Sequence, residues 1–220
     1  MHSRSVRLGL AAVLVLSLQM PAPASAGAMQ GTPAPTRESA LRDGMRKLWE
    51  DHVTWTRLVI VAAAAGLPDL DATTQRLLRN QADIGDAIKP YYGDDAGEKL
   101  TSLLRTHILE AAAILAAARA NEPARLDSTK KAWYANGEEI AGFLHGANPA
   151  SWPLADLQGM MRQHLDLTLA EAVDELQGRY AQSVADYDRV HDEILQMADA
   201  LSAGLLEHAG KESRVSVKRG

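Results

Sequence analysis

Apolar residues return every three or four positions along most of the chain, and no stretch shows the strict alternation of a half-buried strand. The periodic stretches are separated by residues that stop helices or start turns. These are Gly66-Leu67-Pro68, Pro90 to Gly93, Asn121-Glu122-Pro123, Gly146 to Pro153 and the neighbourhood of Asp166-Leu167-Thr168. Six helices are therefore predicted, over 37–65, 70–89, 95–120, 124–146, 153–165 and 168–208. Asp69, Asp94 and Thr168 stand where N-caps belong, and Thr168-Leu-Ala-Glu171 reads as a capping box. Connections this short turn each helix back along the previous one, so the expected fold class is all-α, an antiparallel helical bundle. An aromatic content of 5% and the alanine-rich run 111–118 suit helices that pack closely.

Each stripe carries a polar residue where a hydrophobic one belongs. The first helix sets Leu41, Met45, Leu48, His52, Trp55, Val59 and Ala62 on one seam. The third gives Leu100, Leu103, Leu104, His107 and Ile108, and the fifth repeats this as Leu157, Met160, Met161, His164 and Leu165. The last places Tyr180, Val184, Tyr187, His191, Ile194, Ala198, Leu201 and Leu205 in line. The second and fourth helices use asparagine: Leu70, Thr73, Leu77, Asn80, Ile84 and Ala87 share one face, and Leu126, Thr129, Trp133, Asn136, Ile140 and Phe143 another. In the second helix a seam through Leu77, Gln81, Ile84 and Ile88 is nearly as good. The strings LLRTHI (103–108) and MMRQHL (160–165) match position by position, and Asn80 and Ile84 match Asn136 and Ile140 at almost the same offset. That pattern points to a duplicated helix pair, with a first and a last helix completing the bundle.

Unpaired polar groups in an apolar interior cost about 1–3 kcal/mol each, against a total stability of about 5–15 kcal/mol. These side chains therefore need partners. Neutral imidazole ligates Zn, Cu, Fe and Ni, and bundles build such centres from facing helices. One reading is a divalent transition-metal centre drawn from His52, His107, His164 and His191, with Asn80, Asn136 or Glu110 as further contacts. A small polar ligand in the same place is the related reading, and Trp55 and Thr56 beside His52 join its candidate contacts. A different reading is a hydrogen-bonded histidine and asparagine layer that fixes helix register and binds nothing.

An enzyme is the third class, and the motifs narrow it. HExxH, the P-loop and GxGxxG are absent, and with no cysteine there is neither a thiolate metal site nor a thiol nucleophile. A di-iron carboxylate bundle needs Glu-x-x-His, but Leu104 and Met161 occupy the positions three before His107 and His164. Trp49 and Trp152 lie off the seams and are candidates for stacking on a ring-shaped ligand. Arg57 is a candidate for an anion or a helix-surface ion pair.

The ends read differently from the middle. Residues 1–26 have the form of a secretory signal: Arg4 and Arg7, then the apolar run Leu8 to Met20, then Ala24-Ser25-Ala26 as a cleavage site. No later segment reads as a membrane span, so the expected product is a secreted, monomeric or dimeric bundle over 37–208 without stable membrane insertion. A Gly- and Pro-rich leader at 27–36 and a basic tail at 209–220 flank it, the tail offering contact with an anionic envelope polymer. The net charge of −5 argues against nucleic acid as a partner.

The stretch Leu48-Trp-Glu-Asp-His52-Val-Thr-Trp55-Thr56-Arg57 resembles a family of secreted helical proteins from Gram-positive bacteria with an LW-x-x-HV-x-WTR signature. The likeness continues through Asn80, Tyr92-Gly93, His107, Trp133-Tyr-Ala-Asn136, Asn148-Pro149, Trp152 and His164. It implies that His52, Asn80, His107, Asn136 and His164 belong to one pattern, from which His191 departs. It brings no reaction: some members carry a glycosyltransferase label without a motif to support it.

Overall fold

A computed structural model describes residues 36–219, with side chains through Lys211. The expected signal segment and nearly all of the leader lie outside the described residues, as do the side chains of 212–220. Among the described residues there are six helices: α1 (Arg37–Ala65), α2 (Leu70–Tyr92), α3 (Asp94–Arg119), α4 (Pro123–Ala147), α5 (Leu154–Leu176) and α6 (Tyr180–Arg219). No strand occurs among the described residues.

Local chemistry sets the helix ends. The Thr36 side chain accepts from the Ser39 N–H and starts α1. Gly66, at φ 66°, takes the left-handed position that closes α1, and its N–H returns to Ala62 and Ala63. Pro123 occupies the first turn of α4, where its missing N–H loses nothing. The expected side-chain caps are corrected: Asp69 precedes α2 without a capping hydrogen bond, Asp94 lies inside the first turn of α3, and Thr168 is in the middle of α5. The break predicted near residue 167 does not occur. The chain turns at Gln177-Gly178-Arg179, where Gly178 has φ 71° and the Arg179 N–H bonds the Asp174 carbonyl. Pro90 stays within the last turn of α2.

Each helix packs on its neighbours in chain order, and α6 returns to α1, so the six form a closed ring. Pairs across α1 and α6 run in opposite senses: Arg46 with Asp199, Glu50 with His191, Thr54 with Tyr187 and Arg57 with Ser183. Helices α1, α3 and α5 thus point one way and α2, α4 and α6 the other. Gly85 and Gly97 bring α2 and α3 together so closely that a Cβ at Gly85 would lie 2.5 Å from the Gly97 carbonyl oxygen. By length and composition α3 is apolar enough to cross a membrane; within the bundle its apolar face packs on α2 and α4.

Two apolar clusters fill the ring. The larger includes Met45, Trp49, Ile84, Leu104, Ile140, Met161 and Met197, and the smaller Val59, Ile60, Leu77, Ile108, Leu115 and Ala172. The predicted histidine positions of α1, α3 and α5 fall between them.

Candidate functional site

Three parallel helices each deliver one imidazole to the same level of the ring. His52 from α1, His107 from α3 and His164 from α5 are all buried, at 3%, 3% and 4% exposure. The His164 ring lies 5.8 Å from that of His52 and 6.5 Å from that of His107. Each follows the same local pattern: Leu48-Trp49, Leu103-Leu104 and Met160-Met161 precede, and Val53, Ile108 and Leu165 come next. Residues three before and one after a helical position flank it on the same side, so this pattern directs the imidazole inward between apolar neighbours.

The opposed helices hold the rings. Asn136 on α4 accepts from the His107 Nδ1 through Oδ1 at 2.9 Å, and its Nδ2 donates to the Leu103 carbonyl at 3.2 Å, which fixes the amide's orientation. The His107 Nδ1 is therefore the protonated nitrogen, and Nε2 keeps its lone pair. Glu193 on α6 takes the same part for His164, with its Oε2 3.0 Å from Nδ1 and both side chains buried. Asn80 on α2 donates to the Leu48 carbonyl at 2.9 Å, as Asn136 does one hairpin later. The third ring is less well served. Asn80 Oδ1 accepts from Gln81 Nε2 at 3.1 Å, leaving the His52 Nδ1 and the Gln81 Oε1 buried without partners. Asn80, Asn136 and Glu193 follow His52, His107 and His164 by 28, 29 and 29 positions in the hairpins α1–α2, α3–α4 and α5–α6, and the last two hold their ring.

Burial disfavours a charged imidazole in this layer. It pushes His107 down to about 3, with repulsion from His164 adding and the Asn136 hydrogen bond opposing. It holds His52 well below the ordinary histidine value, helped by His164 and His107 and opposed by the Gln81 and Asn80 side chains. Both rings are thus neutral near pH 7, the form that binds metal.

Several expected contacts fall elsewhere. His191 is half-exposed at the α1–α6 surface, bonded through Nε2 to Glu50 at 2.9 Å, and makes no ring contact with the other three. The inward face of α6 is carried instead by Ser183, Asp186, Val190, Glu193, Ile194 and Met197, while Tyr180 and Val184 are exposed at 64% and 52%. Trp55 packs at the edge of the smaller cluster beneath the Arg76 guanidinium, 5.0 Å from its ring centre. Thr56 is one turn beyond His52 and donates to that residue's carbonyl at 2.8 Å. Glu110 makes no hydrogen bond to the three rings, and burial and Glu139 raise its carboxyl. Trp49 and Trp152 are buried rather than free, Trp49 edge-on to His52 and Trp152 against Gly204.

A second polar layer lies nearer the C-terminal end of α1. Arg57 reaches Glu171 and Glu175 at 3.1 Å each and also bonds Ser183, whose hydroxyl donates to Glu175 at 2.7 Å. Burial pushes Glu171 up to about 7, with Arg57 opposing and Glu175 and Asp186 adding repulsion. The run Thr168-Leu-Ala-Glu171 imitates a capping box, but its carboxylate serves Arg57. Glu193 is absent from the sequence expectations, and the signal that could have found it is its spacing from His164, the same as that of Asn136 from His107.

No family profile, curated protein or solved structure matches the chain. The chemistry of the site must then be read from its own atoms. Imidazoles sharing one tetrahedral ion, with nitrogens at about 2.0–2.1 Å, place their ring centres about 5 Å apart. The observed separations are wider, and among the described residues no three His, Asp or Glu side chains are already spaced to hold a metal ion.

Proposed function

We propose that this is an exported bundle whose three central imidazoles take up one divalent transition-metal ion. His52, His107 and His164 are its ligands. Asn136 and Glu193 orient two of them, and Asn80 and Gln81 border the third. The observation that carries this reading is the use of the ring nitrogens: His107 and His164 are each held through Nδ1 by a side chain from outside the layer, which leaves Nε2 as the nitrogen not engaged by a side chain among the described residues. Metal-ligating histidines are characteristically held by a carboxylate or carbonyl oxygen on the nitrogen opposite the metal, which is the arrangement at His164. Zinc, copper, iron and nickel all accept imidazole, and the ring set alone does not choose among them.

Metal analysis of protein exported and purified without a histidine tag tests the reading. One equivalent is expected, lost in the His52→Ala/His107→Ala double variant and retained in His191→Ala. A folded wild type that takes up no metal from an equimolar zinc, copper, iron and nickel mixture leaves the hydrogen-bonded layer as the account of these residues. Export is tested separately by finding a mature N-terminus near Gly27 in the culture medium.

A further inference from the structure

Directly beyond the histidine layer, towards the C-terminal ends of α1, α3 and α5, lies a chamber of about 40 Å³. Thr56, Ala111 and Thr168 line it, and each sits one helical turn after His52, His107 or His164. Ile108 and Trp133 complete the wall nearest the layer, with Ile60 a turn further on, and the Trp133 ring stacks on His107 at 5.2 Å. No charged side chain lines this space. The Thr168 hydroxyl is buried in it without a partner, although the residue is only 5% exposed. On the other side of the layer the void among Met45, Trp49 and Met161 is about half as large.

We infer that this chamber is the ligand pocket of the histidine centre, and that it admits an uncharged molecule of two or three heavy atoms, of the class of dioxygen or carbon dioxide. The inference rests on the metal reading for its chemistry but not for the pocket itself. Size sets the upper bound, since one water occupies about 10–15 Å³ on the same measure. Polarity sets the kind. An ion entering a wall without charges would lose its hydration uncompensated, whereas a weak acceptor gains one hydrogen bond from Thr168. Ala111, Ala112 and Leu169 are the lining residues of α3 and α5 that are only partly buried.

Xenon tests the pocket on metal-free protein. The wild type is expected to show one saturable site by xenon NMR, and a xenon-pressurised crystal is expected to place the atom against Ile108 and Thr168. Ala111→Leu and Ala112→Leu fill the space and are expected to abolish the site while keeping the helical circular dichroism of the wild type. No saturable xenon in the wild type, or xenon unaffected in both folded variants, overturns the pocket. Copper(I)-loaded protein under carbon monoxide then tests whether the pocket opens on the metal. A C–O infrared band lost or shifted in the filled variants supports the assignment, and a band identical in all three proteins overturns it. Failure to retain copper shows that the centre is not a copper site, and the xenon result still decides the chamber.

Discussion

Replacing Asn136 by Leu removes the only acceptor of a buried imidazole N–H while keeping the side chain close to its original size. His107 is 3% exposed, so its Nδ1 proton has no water to turn to. An unsatisfied buried donor costs about 1–3 kcal/mol, and losing the hydrogen bond to the Leu103 carbonyl adds about 1 kcal/mol. The expected loss is about 2–4 kcal/mol, or roughly 5–15 °C in Tm for a chain of this length. The diagnostic is the double variant. Replacing both partners by apolar groups removes the orphan, so His107→Leu/Asn136→Leu is expected to lie within about 1 kcal/mol of the wild type. Urea unfolding followed by circular dichroism measures all of these. Two results refute the reasoning: an Asn136→Leu midpoint unchanged within error, or a double variant as unstable as the sum of its singles.

Three further outcomes follow from the same geometry. His52 and His107 stay neutral in the folded chain while unfolded histidines take up protons near pH 6.5, so their contribution is complete above that value and is lost as pH falls towards about 3. Between pH 7 and 5 the two together cost about 4 kcal/mol, and Glu171, titrating near 7 when folded, returns about 2 kcal/mol over the same range. The acid loss is therefore expected to be steeper in Glu171→Gln than in the wild type, and equal slopes in pH-dependent urea titrations would contradict these assignments. Arg57→Met strands two buried carboxylates and is expected to cost about 3–5 kcal/mol at pH 8, less at pH 5 where Glu171 is protonated. Gly85→Ala is expected to lower Tm despite alanine's higher helix propensity, because its Cβ meets the Thr101 side chain and the α3 backbone; a raised Tm would show that the two helices separate freely.

The bundle was legible because period and breaks agree: α1 has the bounds its apolar seam and Gly66 indicate, and α2 to α4 differ from expectation only at their ends. The α5–α6 boundary was misread where two local signals conflicted. Thr168 and Glu171 resemble a helix start, yet the backbone turns only where Gly178 supplies a positive φ. His52, His107 and His164 were legible because each interrupts an otherwise apolar stripe. His191 interrupts one equally well, but the start of the α6 stripe is not its buried face. There the inward positions are Ser183, Asp186 and Glu193, whose partners Arg57, Arg189 and His164 make burial tolerable. Hydropathy cannot register such positions, because the pairing that allows them to be buried is made by residues distant in sequence or on the outer edge of the helix. The matched strings of α3 and α5 have an equivalent in α1, and the sequence spacing from His52 to Asn80 nearly repeats from His107 to Asn136 and from His164 to Glu193, although only the last two pairs are hydrogen-bonded.

The most direct test of the three-imidazole centre is a long-range proton–nitrogen NMR correlation of the histidine rings, recorded before and after one equivalent of zinc. His107 and His164 are expected to carry their proton on Nδ1 in the metal-free protein. Zinc should then shift the Nε2 resonances of His52, His107 and His164 together, leaving His145 and His191 in place. Protons found on Nε2 of His107 and His164, or ring resonances that ignore zinc, would contradict the account.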